Sequence, residues 1–263
     1  MIDTHCHILP GLDDGAASLD EALRMARIAV AEGVRWIVAT PHQEGWSATA
    51  CQRIQAAVQN LQRELNLNGI PLSLSSGVEL LVTHTLLQTS GDERVHTLNG
   101  SRYVLLELPA FDYPLYTAEV IFSLQLRGLV PILAHPERNV IIQDDISRIV
   151  RLVQRGVLVQ LSVDSLSPSA DRDVRRCAQE LLRRGLVHLL ASDAHNAGRR
   201  APRLAAGVRA AARIVGLERA QAMVTSVPEA ILGDRELDIE MMTPPSPRRW
   251  WQRLFDTRDD SEA

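Results

Sequence analysis

Short apolar runs alternate with helix-periodic stretches from residue 1 to about residue 233. Residues 1–8, MIDTHCHI, read as a strand whose period of two puts His5 and His7 on one face and Cys6 on the other. Ser18 and Glu21 then stand in capping-box spacing ahead of a helical stripe of Leu19, Leu23, Ala26 and Val30, which Gly33 ends. A second strand is predicted over 35–41. A second helix over 51–65 places Ile54, Val58, Leu61 and Leu65 on one face, and a third strand covers 72–80. Residues 94–109 predict a hairpin about Asn99-Gly100, whose second arm is strand four. Strands five, six and seven are expected over 129–136, 157–164 and 187–195, with helical stretches between them.

Repeated βα units with nearly all-apolar central strands predict an α/β fold with a parallel sheet buried on both faces. Over about 230 residues, a closed barrel fits better than an open doubly wound sheet. No glycine-rich dinucleotide or phosphate loop follows any strand. Residues 1–240 are expected to form this one domain. Residues 241–263 differ: Pro244, Pro245 and Pro247 make a stiff linker, and an aromatic, arginine-rich segment and an acidic end follow.

Composition narrows the function. Hydrophobic residues make up 46%, charged residues 23%, and the net charge is −4, which is globular and lacks the basic footprint of a nucleic-acid binder. Cys6, Cys51 and Cys177 show no CxxC spacing, so neither a disulfide framework nor a thiolate zinc site is expected. No apolar run reaches the roughly 18 residues of a membrane span, and no secretory signal opens the chain, so a cytoplasmic location is expected. All 28 basic residues are arginine.

The candidate chemistry lies at the strand ends. His5 and His7 end strand one and His42 follows strand two; Glu79 and Glu107 end strands three and four. His135 ends strand five, while Asp193 and His195 end strand seven. Parallel barrel strands deliver their C-terminal ends to one mouth. With Asp14 from the loop after strand one, nine imidazoles and carboxylates meet there. An ion takes about three or four protein ligands, so this set suits two or three ions. Nitrogen and oxygen donors without thiolate favour zinc, manganese or iron over magnesium or calcium. His84, His96 and His188, off the strand ends, read as ordinary structural histidines.

Together MIDTHCHILPGLDDGA, ATPH, GVEL, LLELP, ILAHPERN and SDAHN resemble the polymerase-and-histidinol-phosphatase superfamily. The nearest likeness is to its bacterial capsule-type, metal-dependent protein tyrosine phosphatases, and it runs from residue 1 to about 233. The resemblance implies a distorted (βα)7 barrel, TIM-like, holding three divalent ions, often manganese. It implies His5, His7, Asp14, His42, Glu79, Glu107, His135, Asp193 and His195 as ligands, with Arg138 and Arg200 on the substrate phosphate. It also implies a phosphotyrosine protein as substrate, namely a membrane-associated bacterial tyrosine kinase of exopolysaccharide or capsule synthesis. Gln43 stands where a second histidine of a PHH motif is common, and Cys6 where a small polar residue is usual.

The expected mechanism is attack on phosphorus by water whose pKa a metal lowers from 15.7 to about 7, with Arg138 neutralising the phosphoryl oxygens. A tyrosinate, with a conjugate-acid pKa of about 10, can leave with little acid help. Cys177 and Arg183 match the C-x5-R of cysteine phosphatases, but a helical pattern without glycine cannot curl its N–H groups around phosphate. The missing lysine counts against hydrolases that bridge two metals with a carboxylated lysine. Alternatives are a histidinol-phosphate-type small-molecule phosphatase, an amidohydrolase-like lactone or amide hydrolase, and a non-enzymatic metal-binding scaffold. In the tail, Trp250, Trp251, Leu254 and Phe255 form one helical face beside Arg248, Arg249 and Arg253. That face suits either peripheral membrane contact or docking on the barrel or on a second subunit of a homo-oligomer.

Overall fold

The computed structural model describes residues 1–88 and 93–237. The expected tail, residues 241–263, lies outside the described residues. The strands in chain order are β1 (Ile2–Cys6), β2 (Trp36–Ala39), β3 (His42–Glu44), β4 (Ser73–Ser76) and β5 (Glu79–Leu81), then β6 (Tyr103–Glu107), β7 (Val130–Ala134), β8 (Leu158–Ser162) and β9 (Leu189–Ala191). Between them run α1 (Leu19–Ala31), α2 (Ala48–Leu67), α3 (Thr117–Leu126), α4 (Val140–Asp144), α5 (Ser147–Val153) and α6 (Arg172–Arg183). After β9 come α7 (Leu204–Val215), α8 (Leu217–Ala222) and α9 (Ser226–Leu232). None of the described helices is long and apolar enough to cross a membrane.

Among the described residues every strand pair is parallel, in two sheets of order β1-β2-β4 and β3-β5-β6-β7-β8-β9. Expected strand three breaks into β4 and β5, and β3 continues the chain just past the end of expected strand two; at both places the chain passes from the first sheet to the second. A glycine sits at one break because Gly77 is pressed between Leu98 and Val38, where a Cβ would come within 2.9 and 3.1 Å of them. At the other edge, Asp193 N–H donates to the His5 carbonyl and His7 N–H to the Ala194 carbonyl, tying the end of β1 to the residues after β9.

Alternate strand residues enter two cores. Ile2, Val38, Leu105, Ile132, Leu158 and Leu189 pack together with Val227 and Ile231 of α9. Their neighbours, among them Ile37, Leu106, Leu133, Val159 and Leu190, pack outward against the helices. Each fully buried leucine or isoleucine contributes roughly 1.5–3 kcal/mol.

Helix α2 buries Ile54, Val58, Leu61 and Leu65 as its period predicts, and Ser47 caps it by accepting from Ala50 N–H. On α1, Ser18 accepts from Glu21 N–H, and the Glu21 carboxylate returns to Ala17 N–H. The buried face of α1 lies closer to Ala22, Met25, Ala26 and Ala29 than to the expected stripe, and Leu19 is exposed. The hairpin about Asn99-Gly100 does not form. Strand β6 pairs with β5 and β7, so neither of its edges is free for an antiparallel arm. Residues 93–100 wind instead into 3₁₀ turns, with the Thr97 hydroxyl bonded at the Arg94 and Ser101 carbonyls.

Candidate metal centre

The C-terminal strand ends converge as parallel topology requires. His5, His7, Glu79, His135, Asp193 and His195 are buried, Glu107 is half-buried, and Asp14 and His42 face solvent. Their donor atoms fall into four overlapping groups, each with all its atoms within 4.8 Å. The groups are His7, Asp14, His42 and His195; His5, His7 and Asp193; His5, Glu79 and His135; and His42, Glu79 and Glu107. All nine sequence-predicted groups are therefore in one cluster.

Glu79 is its hub. Its Oε1 lies 2.8 Å from His135 Nε2, and its Oε2 lies 3.1, 3.0 and 3.4 Å from nitrogens of His5, His42 and His7. Oε2 is nonetheless buried and without an aligned hydrogen bond. Imidazole nitrogens crowded around one buried carboxylate form the donor set a divalent cation completes, and thiolate is absent from it.

Two imidazoles have their tautomer fixed from behind. His7 Nδ1 donates to Asp13 Oδ2 at 2.6 Å, and His195 Nδ1 donates to the Asp193 carbonyl at 3.0 Å. In that tautomer each neutral ring turns its Nε2 lone pair to the cluster. Asp13 was not singled out in the sequence, where its neighbour Asp14 drew the assignment. It also accepts from Gly15 N–H and His42 N–H, so it clamps the loop onto both histidine-bearing segments. Gly15 is required there because a Cβ would sit 2.1 Å from the His7 carbonyl oxygen.

Gln160 and Glu137 were also missed. The Gln160 side-chain amide contacts His5 Nδ1 at 2.7 Å and the Thr4 hydroxyl at 2.9 Å. Buried Glu137 accepts from Ser162 N–H and the Ser165 hydroxyl, anchoring the segment beside Arg138. Arg138 and Arg200 stand at the rim, each about one-third exposed, and both reach Asp193 Oδ2, at 2.5 and 2.9 Å. The remaining histidines lie elsewhere. His188 is buried and accepts from Val159 N–H, His96 accepts from Ser47 N–H, and His84 stands edge-on to Tyr116. Cys177 is buried on α6, where burial pushes its thiol up to about 12, and Arg183 pairs with Glu180.

Charge balance is severe. Burial favours neutral Glu79, but His5 and His135 outweigh it and hold the carboxyl well below its usual range. Burial also opposes protonation of His42, yet Glu107 and Glu79 raise it to about 10. His7 and His135 are likewise raised, whereas burial and the neighbouring His7 lower His195 to about 4. At neutral pH protons on the raised imidazoles thus occupy positions a cation needs. The metal must displace those protons, so lowering the proton activity from pH 6.5 to pH 8 should strengthen metal affinity, with protons released on binding. Calorimetric titration in two buffers of different ionisation enthalpy measures both, and a pH-independent affinity without proton release would refute this balance.

A parallel α/β fold with a histidine and carboxylate cluster at its strand ends defines a class of candidate metal-binding proteins. An organophosphorus hydrolase variant shares the fold alone, with a TM-score of 0.53 at 15% identity over 88% of this chain and 92% of that one. The chain belongs to the CpsB/CapC family of capsular polysaccharide synthesis, whose model matches residues 1–233. It is 36% identical over 197 residues to the tyrosine-protein phosphatase YwqE of Bacillus subtilis, covering 74% of this chain and 78% of YwqE. To the tyrosine-protein phosphatase CpsB of Streptococcus pneumoniae it is 27% identical, over 89% of this chain and 99% of CpsB. A crystal structure from work on YwqE and CpsB, described as unique metal-dependent tyrosine phosphatases, superposes with a TM-score of 0.79 at 30% identity. That match covers 90% of this chain and 96% of the other.

Proposed function

We propose that this chain is a metal-dependent phosphoester hydrolase that removes phosphate from tyrosine in proteins. The observation that carries the reading is the pairing of the nine-donor cluster with two rim guanidiniums, Arg138 and Arg200, on one carboxylate, Asp193. Cations and arginines side by side make a receptor for a doubly charged phosphoryl group. His5, His7, Asp14, His42, Glu79, Glu107, His135, Asp193 and His195 would hold two or three divalent ions, manganese in first place, with iron or zinc as alternatives. Such ions supply Lewis acidity and a nucleophile at neutral pH.

The chain's own groups then have separate tasks. The planar fork of Arg138 binds two phosphoryl oxygens and sets the phosphorus in line, Arg200 adds a second cation, and Asp13 keeps His7 in the required tautomer. We read the two sheets as one distorted (βα)7 barrel, the fold of the expected 1–240 domain in its described residues 1–88 and 93–237, a reading supported by the strand-lined inner core and the seam at Cys6 and Ala194. The favoured substrate is a phosphotyrosine protein of capsule assembly, with a membrane-associated kinase as the natural case.

The test is phosphate release from a phosphotyrosyl peptide with and without manganese, beside histidinol phosphate and a lactone. Turnover of the peptide alone, abolished by chelation and unchanged in Cys177→Ser, is the expected result. Preference for histidinol phosphate or the lactone would refute the protein-phosphatase reading, and an inactive, folded Cys177→Ser would refute the mechanism.

A further inference from the structure

Beyond the metal centre lies a cavity of about 930 Å³ between residues 163–171 and one face of α7. Arg138 and Arg200 line it, so it adjoins the rim of the cluster. Its floor on α7 is small, at Ala206, Gly207 and Ala210, and the helix lies so close to residue 163 that a Cβ on Gly207 would come 2.3 Å from Val163 Cβ. Arg199, Arg203, Arg209 and Arg213 also line the cavity, all exposed.

These four arginines make no ion pair and no side-chain hydrogen bond among the described residues. Arg24, Arg53 and Arg172 on the outer helix faces pair with no described carboxylate either, so what marks these four is that they share the wall of one cavity. The cavity's carboxylates do not balance them. Asp171 is engaged as the cap of α6, accepting from Asp173 and Val174 N–H, and half-buried Asp164 is shared among Arg138, Arg200 and Arg199. Six arginines against two aspartates line the cavity, leaving a net positive wall beside the place where the phosphoryl group is proposed to bind.

We propose that this groove docks the chain flanking the phosphotyrosine and selects substrates with aspartate or glutamate close to it. The inference rests on the phosphatase reading above and adds the substrate's flanking charge to it. A neutral peptide would leave the excess positive charge of this wall uncompensated, whereas an acidic one supplies anions to it and is steered inward by the field.

The experiment compares two peptides that differ only in three flanking glutamates or three glutamines around one phosphotyrosine, with p-nitrophenyl phosphate as a substrate that has no flanks. The enzymes are wild type, the groove variant Arg203→Gln/Arg209→Gln/Arg213→Gln, and a variant of equal net charge altered on the outer faces of α1 and α2, Arg24→Gln/Arg27→Gln/Arg63→Gln. Wild type is expected to favour the glutamate peptide by about fivefold or more in kcat/KM, mainly through KM, with the advantage shrinking in salt. The groove variant should lose that preference and keep its p-nitrophenyl phosphate turnover, while the outer-face variant keeps both. Equal use of the two peptides by wild type, or a preference that survives in the groove variant, overturns the inference and leaves the phosphatase reading standing. Failure to hydrolyse all three substrates with metal present overturns the phosphatase reading itself.

Discussion

Glu79→Gln should leave a folded protein that neither retains metal nor turns over substrate. Glutamine keeps the shape of the side chain and removes the negative charge on which four imidazoles converge. Glu79 belongs to two of the four donor groups, so its loss weakens both. Loss of a mere outer partner of a ligand costs about 10- to 100-fold in metal affinity, so replacing this hub should exceed about 100-fold. Metal content by elemental analysis, read beside phosphate release, measures it. Wild-type metal content in the variant would remove Glu79 from the proposed ligand set.

Arg138→Ala should separate binding of metal from catalysis. Its guanidinium offers no lone pair, so bound metal should stay near the wild-type level. Turnover should fall by about 10²–10³, the usual effect of deleting one preorganised donor to developing charge. Arg138→Lys should recover only part of the loss, because an ammonium keeps the charge without the fork. Arg138 also holds Asp193 and the Ser162 hydroxyl, so metal content must be measured in the same preparations. Activity loss that merely tracks metal loss would make Arg138 a support for Asp193, with no part in binding phosphate.

Much of the site was legible because parallel strands need no contact information to place their ends together. Once 129–136, 157–164 and 187–195 read as successive parallel strands, His135, Asp193 and His195 had to share a mouth with His5 and His7. What the sequence did not reveal depended on partners distant in the chain. Asp13 and Asp14 look alike in sequence, and only the fold of the loop turns one toward the back of His7 and the other toward His42 and His195. Gln160 looks like a lone polar residue in an apolar strand until β8 brings it beside His5. Asn99 and Gly100 do adopt the left-handed backbone of a tight hairpin turn, but pairing of β6 on both edges decides the outcome. Arg199, Arg203, Arg209 and Arg213 carry no periodic signal of their own, and their meaning comes from sharing one cavity in which six arginines outnumber two aspartates.

His135 and Asp193 have positive φ, at 31° and 51°, in a region that side-chain-bearing residues enter at a cost of about 1–3 kcal/mol each. Both belong to the donor groups, so the fold is under tension at positions where a cation would be gripped. An ion at about a hundred times its dissociation constant returns about 2.7 kcal/mol by mass action, comparable with that tension. Occupancy of the mouth would then govern more than chemistry: a cell short of metal would hold a phosphatase that is not only idle but easier to melt and to digest.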